Sequence, residues 1–314
     1  MGKNVFKISA ARIAASSLFL LFVLYVIVWL LPPGTLNKLA SRFIEAPVLT
    51  AAAIIAYTAA FVLRAAAWKW FIPVKGLSLR IYVNGLLYSL FLNHVLPIKA
   101  GDAVRAGYLA YKSNGAASWL RSLQSVAVLR ILDMLFLGAV ASIGSLYIGA
   151  KLYTGLWQLF AGVILLLVCG LLIVSNKRET LQNFFYPVRS LFTSKRGSLI
   201  FLFTMMSWML ESFVLYFTAV ILRQELSFLA AWWTTSVTIA GQVFHFSPGG
   251  VGTYEAVMTG ALRTLQVPMQ TAFETAVASH AFKFVYSFGA GLYLALAAPV
   301  SIVMLKKWLE KERA

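Results

Sequence analysis

Acidic residues and cysteine are both scarce in this chain of 314 residues, which has ten Asp and Glu and one Cys. Charged residues of either sign make up 12% of the sequence, whereas about a quarter is usual for a soluble domain. The single cysteine, Cys169, excludes an internal disulfide, and no Cys and His cluster has zinc spacing. These shortages exclude a disulfide scaffold, a disordered chain and an ordinary cytosolic enzyme.

Apolar residues are abundant instead, at 61% of the chain, and the mean hydropathy is +0.81. Several apolar runs reach the roughly 20 residues that a helix needs to cross a bilayer. The sequence therefore predicts an all-α fold, a polytopic membrane helical bundle. The net charge of +17 is attributed to basic cytoplasmic loops facing anionic lipid, rather than to nucleic acid binding.

The first apolar run covers residues 14–31 and follows three basic residues, as a signal peptide would. It is long for a signal peptide and no small-residue cleavage site follows it, so it predicts an uncleaved first transmembrane helix. Five further unbroken apolar segments are predicted to span the membrane. They cover residues 47–72, 122–149, 153–174, 198–223 and 271–299.

Two more apolar stretches, at 81–111 and 228–265, are interrupted near their middle by proline and glycine, which disfavour a continuous helix. The first interruption contains Pro97 and Gly101, and the second contains Pro248, Gly249 and Gly250. Each stretch is predicted to be a re-entrant hairpin of two half-helices, with one kinked full span as the alternative. The hairpin version gives about six full transmembrane helices.

The two interruptions match at a fixed offset of 151 residues, because His94, Pro97 and Gly101 align with His245, Pro248 and Gly252. Three crossings separate equivalent positions, so the sequence predicts an inverted repeat, a pattern typical of transporters.

The predicted organisation has five parts. They are an N-terminal helix and outer loop (1–46), a first repeat unit (47–150), a connecting helix with a basic cytoplasmic loop (151–197), a second unit (198–300) and a basic cytoplasmic tail (301–314).

Loop charge predicts the orientation of the chain. With six crossings, 17 Lys and Arg residues fall in cytoplasmic segments and five fall outside. Because cytoplasmic loops carry the excess of Lys and Arg, both termini are predicted to be cytoplasmic.

Ionisable residues within apolar spans are costly, so they mark either helix-locking contacts or a substrate path. The candidates within the apolar stretches are Arg64, His94, Lys99, Asp102, Arg105, Arg130, Asp133, Glu211, His245, Glu255, Glu274, His280 and Lys283. Arg130 and Asp133 have i, i+3 spacing, as do His280 and Lys283, and the first two are expected to pair. Glu211 is expected to be either a helix–helix hydrogen bonder or part of the path.

The interruptions themselves predict a binding site. Helices that begin after them would offer free N–H groups to an anion such as phosphate, and Lys99 and Arg105 would add charge-assisted contacts. A glycine-rich turn also lets backbone approach a ligand. The predicted substrate-binding residues are Asn93, His94, Lys99, Asp102, Arg105, His245, Gly249, Gly250, Gly252, Tyr254 and Glu255. Tyr254, Trp68 and Trp70 are also typical of membrane-interface aromatics, and the two His residues are alternatively caps of broken helices.

The residues around both interruptions resemble a known family. Residues 91–106, FLNHVLPIKAGDAVRA, look like its first motif, in which Asn93, Pro97, Gly101, Asp102 and Arg105 match. Residues 246–256, FSPGGVGTYEA, look like its second, PGG-[VIL]-G-x-x-E-A, matched by Pro248, Gly249, Gly250, Gly252 and Glu255. The family is that of the lysylphosphatidylglycerol synthase transmembrane domains, or flippase-like integral membrane proteins. The resemblance implies lipid translocation by an inverted-repeat bundle with re-entrant helices.

Some family members carry a soluble aminoacyl-transferase domain after the membrane part, and the short stretch after residue 299 predicts that this chain does not. The function hypothesis is a multi-pass, plasma (inner) membrane flippase for a phospholipid or polyprenyl-phosphate lipid, with possible coupling to protons through His94, His245, Glu255 or Asp102. Expected partners are membrane lipids and a lipid- or glycan-modifying synthase, not nucleic acid. No cofactor, metal or catalytic residue is expected, and no P-loop is found.

Two other function classes stay open on the sequence. One is an intramembrane transferase or phosphatase that acts on a lipid phosphate through the same His residues and carboxylates. The other is a non-transporting accessory subunit of a lipid or glycan synthase.

Overall fold

A computed structural model of the chain describes residues 32–96, 100–148, 191, 194–242 and 247–299. Across these residues it contains nine α-helices and a 3₁₀ turn, with no β-strand. The predicted all-α class is confirmed for this part of the chain. The predicted helices at 14–31 and 153–174, the tail at 301–314, and the candidates Pro97, Lys99 and His245 lie outside the described residues.

The helices fall into two runs along the chain. The first run is α1 (Thr35–Glu45), α2 (Pro47–Phe71), α3 (Leu79–Val95), α4 (Gly101–Lys112) and α5 (Trp119–Ile148). The second run is α6 (Lys195–Ile221), α7 (Phe228–Gly241), the 3₁₀ turn Pro248–Gly250, α8 (Thr253–Thr264) and α9 (Met269–Ala297). The four unbroken segments predicted at 47–72, 122–149, 198–223 and 271–299 thus correspond to α2, α5, α6 and α9.

Local chemistry explains where several helices begin. Pro47 stands in the first turn of α2, where its missing N–H costs nothing. Ser194 and Ser227 cap α6 and α7 by accepting the N–H groups of Gly197 and Ala230. Of the described helices, α2, α5 and α6 are long and apolar enough to cross a membrane.

The first interruption folds α3 and α4 into an antiparallel hairpin. The N–H of Gly101 donates to Asn93 Oδ1 at 2.9 Å, and the rings of Tyr88 and Tyr108 lie 5.3 Å apart further along the hairpin. A Cβ atom at Gly101 would collide with the backbone oxygen of Ser89. This close approach explains why glycine begins α4.

The second interruption is a tight turn between α7 and α8. Gly249, Gly250 and Gly252 all have positive φ angles, of 64°, 78° and 87°, which L side chains rarely adopt. Ser247 Oγ donates to the oxygen of Val251 at 2.6 Å and closes the turn. The turn contacts α3, so the two interruptions meet inside the bundle.

The two runs of helices repeat the same layout. The bounds of α2 to α5 and of α6 to α9 agree within five residues after the offset of 151, and α3 packs on α9 as α7 packs on α5. Between them, α2 and α6 pack together along much of their length. These correspondences support an internal repeat, while the direction in which each unit crosses the membrane stays a prediction.

Candidate functional site

A cavity of about 430 Å³ opens where the two interruptions meet. Its walls come from α2, α3, α4 and α5 of the first run and from α6, α7, α8, α9 and the 3₁₀ turn of the second. Among its described lining residues are four cations, Arg64, Arg105, Arg130 and Lys283, and three carboxylates, Asp102, Asp133 and Glu211. With histidine neutral, these side chains leave one unbalanced positive charge on the cavity wall.

The first charged cluster centres on Asp102, in the first turn of α4. Arg130 binds it through two donors, with Nε 2.9 Å from Oδ2 and Nη2 3.0 Å from Oδ1. Ser89 Oγ donates to Oδ1 at 3.2 Å, and Arg105 Nε lies 3.2 Å from the same oxygen. Asp102 therefore holds two arginines from two helices at one end of the cavity.

Arg105 has donors to spare. The residue is 5% exposed, yet its Nε and Nη2 atoms make no hydrogen bond. Its guanidinium carbon lies 5.4 Å from the ring centroid of Trp68. A buried cation with unsatisfied donors is costly unless a partner arrives, so Arg105 is the group in this cavity best placed to receive an anion.

A second cluster joins the two halves of the bundle. Glu211 on α6 accepts from Arg64 on α2 at 2.5 Å and from Lys283 on α9 at 2.6 Å. Arg64 also stacks over the ring of Trp208, with its guanidinium carbon 3.9 Å from the centroid. Because the carboxylate is 3% exposed, removing it would leave two buried cations without their counter-ion.

Asp133 and Trp208 connect these two clusters. Trp208 Nε1 donates to Asp133 Oδ1 at 2.8 Å, and Arg130 Nη1 lies 3.8 Å from Asp133 Oδ2. The predicted pairing of Arg130 with Asp133 is thus secondary. Asp102, 28 positions away, takes the two short bonds because the α3–α4 hairpin carries it against α5.

His280 forms a third cluster beside the second turn. Its Nδ1 lies 2.7 Å from Glu255 Oε1, and its Nε2 lies 3.1 Å from the oxygen of Gly249. A carbonyl oxygen only accepts, so Nε2 carries a proton. The contact at Nδ1 then needs a second proton, either on the imidazole or on the carboxyl group. In this geometry the imidazole and the carboxyl group share a proton across the Nδ1–Oε1 contact.

The rest of the third cluster fixes His280 in place. The ring of Tyr254 stacks on it at 4.1 Å and 13°, and His94 lies across the interruption with ring centroids 6.4 Å apart. Glu255 Oε2 meanwhile accepts the N–H of Gly252 at 2.6 Å. Glu255 therefore ties His280 to the start of α8, and His280 ties Glu255 to the oxygen of Gly249 in the turn.

The helix starts that follow the interruptions do not offer their first N–H groups to a ligand. The N–H of Gly101 is taken by Asn93 and that of Gly252 by Glu255. The expectation of free N–H groups at these two positions is wrong, because polar side chains satisfy them from within the hairpins. Asn93 accordingly positions the first interruption, although it also lines the cavity.

The structure brings most of the predicted residues together and separates a few. Gly101, Pro248, Gly250 and Gly252 shape the two turns without lining the cavity, and Glu274 pairs with Gln270 at 3.0 Å. Tyr254 and Trp68 are buried at 1% and 0% exposure. Their assignment as membrane-interface aromatics is wrong, because each packs in the protein interior with a hydrogen-bonded polar tip.

Five cavity residues with a polar group were not predicted from the sequence. They are Tyr57, Ser89, Thr204, Trp208 and Gln242. Thr204 and Trp208 lie on the same face of α6 as Glu211, which was a usable signal. The other three carry no charge and give no such signal. Within the described ranges, no group of three His, Cys, Asp or Glu residues is placed to hold a metal ion.

A comparison with models of protein families identifies the family of the chain. Residues 10–291 match the family model described as the lysylphosphatidylglycerol synthase TM region. The chain belongs to this family. It is therefore an integral membrane protein of the flippase-like class. Neither the curated proteins nor the solved structures contain a match to the chain.

Proposed function

We propose that this family member is a lipid flippase that moves a phosphate-bearing lipid between the two membrane leaflets. The observation that carries the proposal is the cavity between the two interruptions, which is lined by four cations and three carboxylates. Arg105, in its wall, keeps buried donors without a hydrogen-bonding partner. These cations would bind the phosphate of a lipid head group.

Arg105 and Arg130 are the proposed phosphate ligands. The planar guanidinium group matches the geometry of phosphate oxygens and donates to two of them at once. Both arginines now share Asp102, so an incoming phosphate would compete with that carboxylate rather than meet bare cations. Such competition permits release as well as binding, which a transporter needs. Lys99 stays a proposed ligand from its place in the sequence.

The central Glu211 cluster is the proposed link between head-group binding and movement. It joins α2 of the first unit to α6 and α9 of the second through one carboxylate. A phosphate near Arg64 or Lys283 would compete with this carboxylate as it does with Asp102. Loosening this tie would let the two units shift relative to each other, as alternating access between inverted repeats requires.

The pair of Glu255 and His280 is the proposed proton site, if transport is coupled to protons. Its hydrogen-bond geometry places a shared proton between the carboxyl group and the imidazole. The other described candidates are less suitable: His94 Nδ1 lies 2.8 Å from the oxygen of Leu90, and Asp102 is held by two bonds from Arg130. The proton pathway and the inner-membrane location are parts of the proposal.

The test is reconstitution in vesicles that contain a fluorescently labelled phosphatidylglycerol, with the outer-leaflet label bleached to follow translocation. Wild-type protein should accelerate exchange between leaflets, and Arg105→Ala should return it to the protein-free rate. Arg105→Lys should give only part of the wild-type exchange rate, because lysine keeps the charge but lacks the paired N–H donors of the guanidinium group. In the Arg105→Ala variant, Asp102 still pairs with Arg130, so the protein should still fold.

Arg80→Ala is the matched control, because Arg80 is exposed and lies outside the cavity. It should exchange lipid at the wild-type rate. Wild-type vesicles that exchange lipid no faster than empty ones would refute the flippase, and an active Arg105→Ala would refute the site. Mass spectrometry of the lipid extract separates a transferase or phosphatase, which would leave a chemically changed lipid.

A further inference from the structure

A second concavity lies on the other side of the cavity wall. Its volume is about 820 Å³, and it is lined by α1, α2, α3 and α9. Its lining is apolar apart from a few hydroxyl groups, and two of these are already bonded inside the protein. Thr50 Oγ1 donates to the oxygen of Phe43 at 2.8 Å, and Tyr286 is bonded to Thr58 at 3.0 Å. None of the described residues that line this apolar groove is charged, so it does not suit a head group.

The groove and the charged cavity share one thin wall. The ring of Tyr57 faces the cavity, where Lys283 Nζ lies 5.6 Å from its centroid. Tyr57 also contacts two aromatic residues that line the groove, Tyr286 and Phe282, with ring centroids 4.7 and 6.4 Å away. A small aromatic cluster therefore lies between a site for a charged group and a site for hydrocarbon.

The dimensions of the apolar groove suit an extended chain. Its lining positions on α9 run from Val277 to Tyr293, which is about 24 Å at 1.5 Å per residue, against a hydrocarbon core of about 30 Å. Small residues on that face, Ala281 and Gly289 among them, leave room; a Cβ atom at Gly289 would touch nothing within 4 Å. Val285, at 73% exposure, marks an open rim.

We infer that the apolar groove holds a hydrocarbon tail of the same lipid whose phosphate occupies the cavity. The inference rests on the proposed function and adds to it a binding site for the tail. Lipid tails are as apolar as the groove, so moving a tail from bilayer to groove gains little affinity. The groove instead orients the tail and keeps it beside its head group during passage, so blocking it should slow translocation without weakening head-group binding.

The test places large side chains in the apolar groove. Ala281→Trp and Gly289→Trp place an indole in the groove, and Ala295→Trp is the control, because Ala295 is exposed on the same helix outside the groove. Translocation of labelled phosphatidylglycerol should fall about tenfold in the two groove variants, as misplacing a substrate does, and stay unchanged in the control. Binding of water-soluble glycerol phosphate should be equal in all of them.

Groove variants that translocate lipid at the wild-type rate would overturn the tail site while leaving the flippase proposal intact. Loss of glycerol phosphate binding in those variants would also overturn it, because it would mean that the substitutions act through the fold. If wild-type protein translocates nothing, the proposed function fails first, and the two failures are thereby distinguished.

Photocrosslinking identifies the occupant directly. A benzophenone side chain replaces Val285 in the groove or, as control, Leu296, which is 78% exposed elsewhere on α9. In phosphatidylcholine vesicles with a minority of phosphatidylglycerol, adducts at position 285 should be enriched in phosphatidylglycerol relative to those at 296. Equal enrichment at both positions, or an adduct to a peptide from residues 14–31, would overturn the inference.

Discussion

The two interruptions occupy equivalent places in the two halves of the bundle but use their acidic residues differently. At the first, Asp102 is shared by two arginines, Arg105 and Arg130. At the second, Glu255 is shared by a histidine and the backbone N–H of Gly252. Two permanent cations face the first acid, whereas the second acid faces a group that can lose its charge.

Under the proposed function, this difference gives the two halves separate tasks. Arginine stays charged under all biological conditions, so the first interruption would attract phosphate at any pH. The second interruption would change its hydrogen bonding when a proton leaves, and the bond of His280 to Gly249 would carry that change to the turn. One repeated layout would thus bind a head group in the first half and respond to protons in the second.

Replacing the acidic residue at each interruption should give the largest difference in stability between the two halves. Asp102→Ala leaves two arginines without their carboxylate and should cost about 3–5 kcal/mol of stability. Glu255→Ala leaves a histidine that can become neutral, so it should cost about 1–3 kcal/mol, as for an unsatisfied polar group. Unfolding in detergent micelles measures both. A larger loss for Glu255→Ala would reverse the comparison.

Replacing the glycines of the two turns by alanine should give a smaller difference in stability. A Cβ atom at Gly101 would strike the backbone of Ser89, whereas one at Gly249 would meet the movable ring end of Phe284. Gly101→Ala should cost about 3 kcal/mol, and Gly249→Ala about 2 kcal/mol because its φ is positive. Gly76→Ala is the control, since its φ is 83° but nothing lies nearby; it should cost about 1 kcal/mol.

The same unfolding measurement ranks these three glycine variants. Gly249 and Gly76 have positive φ angles and Gly101 does not, so equal losses at Gly249 and Gly76 would mean that φ alone matters at the second turn. A stable Gly101→Ala variant would contradict the tight α3–α4 hairpin itself.

Competition between Asp102 and phosphate predicts a smaller effect, which is a gain in phosphate affinity rather than a loss of stability. Asp102→Asn removes the competing charge but keeps the shape of the side chain, so Arg105 and Arg130 should bind glycerol phosphate about tenfold more tightly, or about 1.4 kcal/mol. Calorimetry in detergent micelles checks this. Unchanged or weaker binding would show that the arginines do not bind the phosphate.

The smallest expected effect concerns protons. Gln at position 255 can donate to His280 Nδ1, so Glu255→Gln keeps the hydrogen bonds but has no proton to release. Wild-type translocation should change about threefold or more between about pH 5 and 8, whereas the variant should respond less. Asp102→Asn serves as the comparison in the other half. Parallel pH profiles for wild-type and Glu255→Gln would contradict the proton site.

Helix positions were predictable from the sequence because apolar runs and their interruptions are local signals. The predicted bounds 47–72 and 122–149 reappear as Pro47–Phe71 and Trp119–Ile148. Proline and glycine marked both interruptions for the same local reason, since neither residue favours a continuous helix. The number of membrane crossings is a different matter, because it depends on how each hairpin sits in the bilayer.

The pairing of charges was not predictable in the same way. Spacing on one helix suggested Arg130 with Asp133, but the short bonds go to Asp102 on another helix. Arg64 and Glu211 are 147 positions apart and meet only because α2 packs against α6. Partners that tertiary packing brings together leave no trace in i, i+3 spacing, although the residues themselves were correctly expected to be interior.

Head-group selectivity tests the central claim most directly. Purified wild-type protein is placed in vesicles with equal trace amounts of labelled phosphatidylglycerol and labelled diacylglycerol glucoside, which has no phosphate, and the protein-dependent translocation of each is measured. Arg105 should make phosphatidylglycerol cross much faster than the neutral glycolipid. Equal protein-dependent rates for the two lipids would contradict a phosphate site in the cavity between the interruptions.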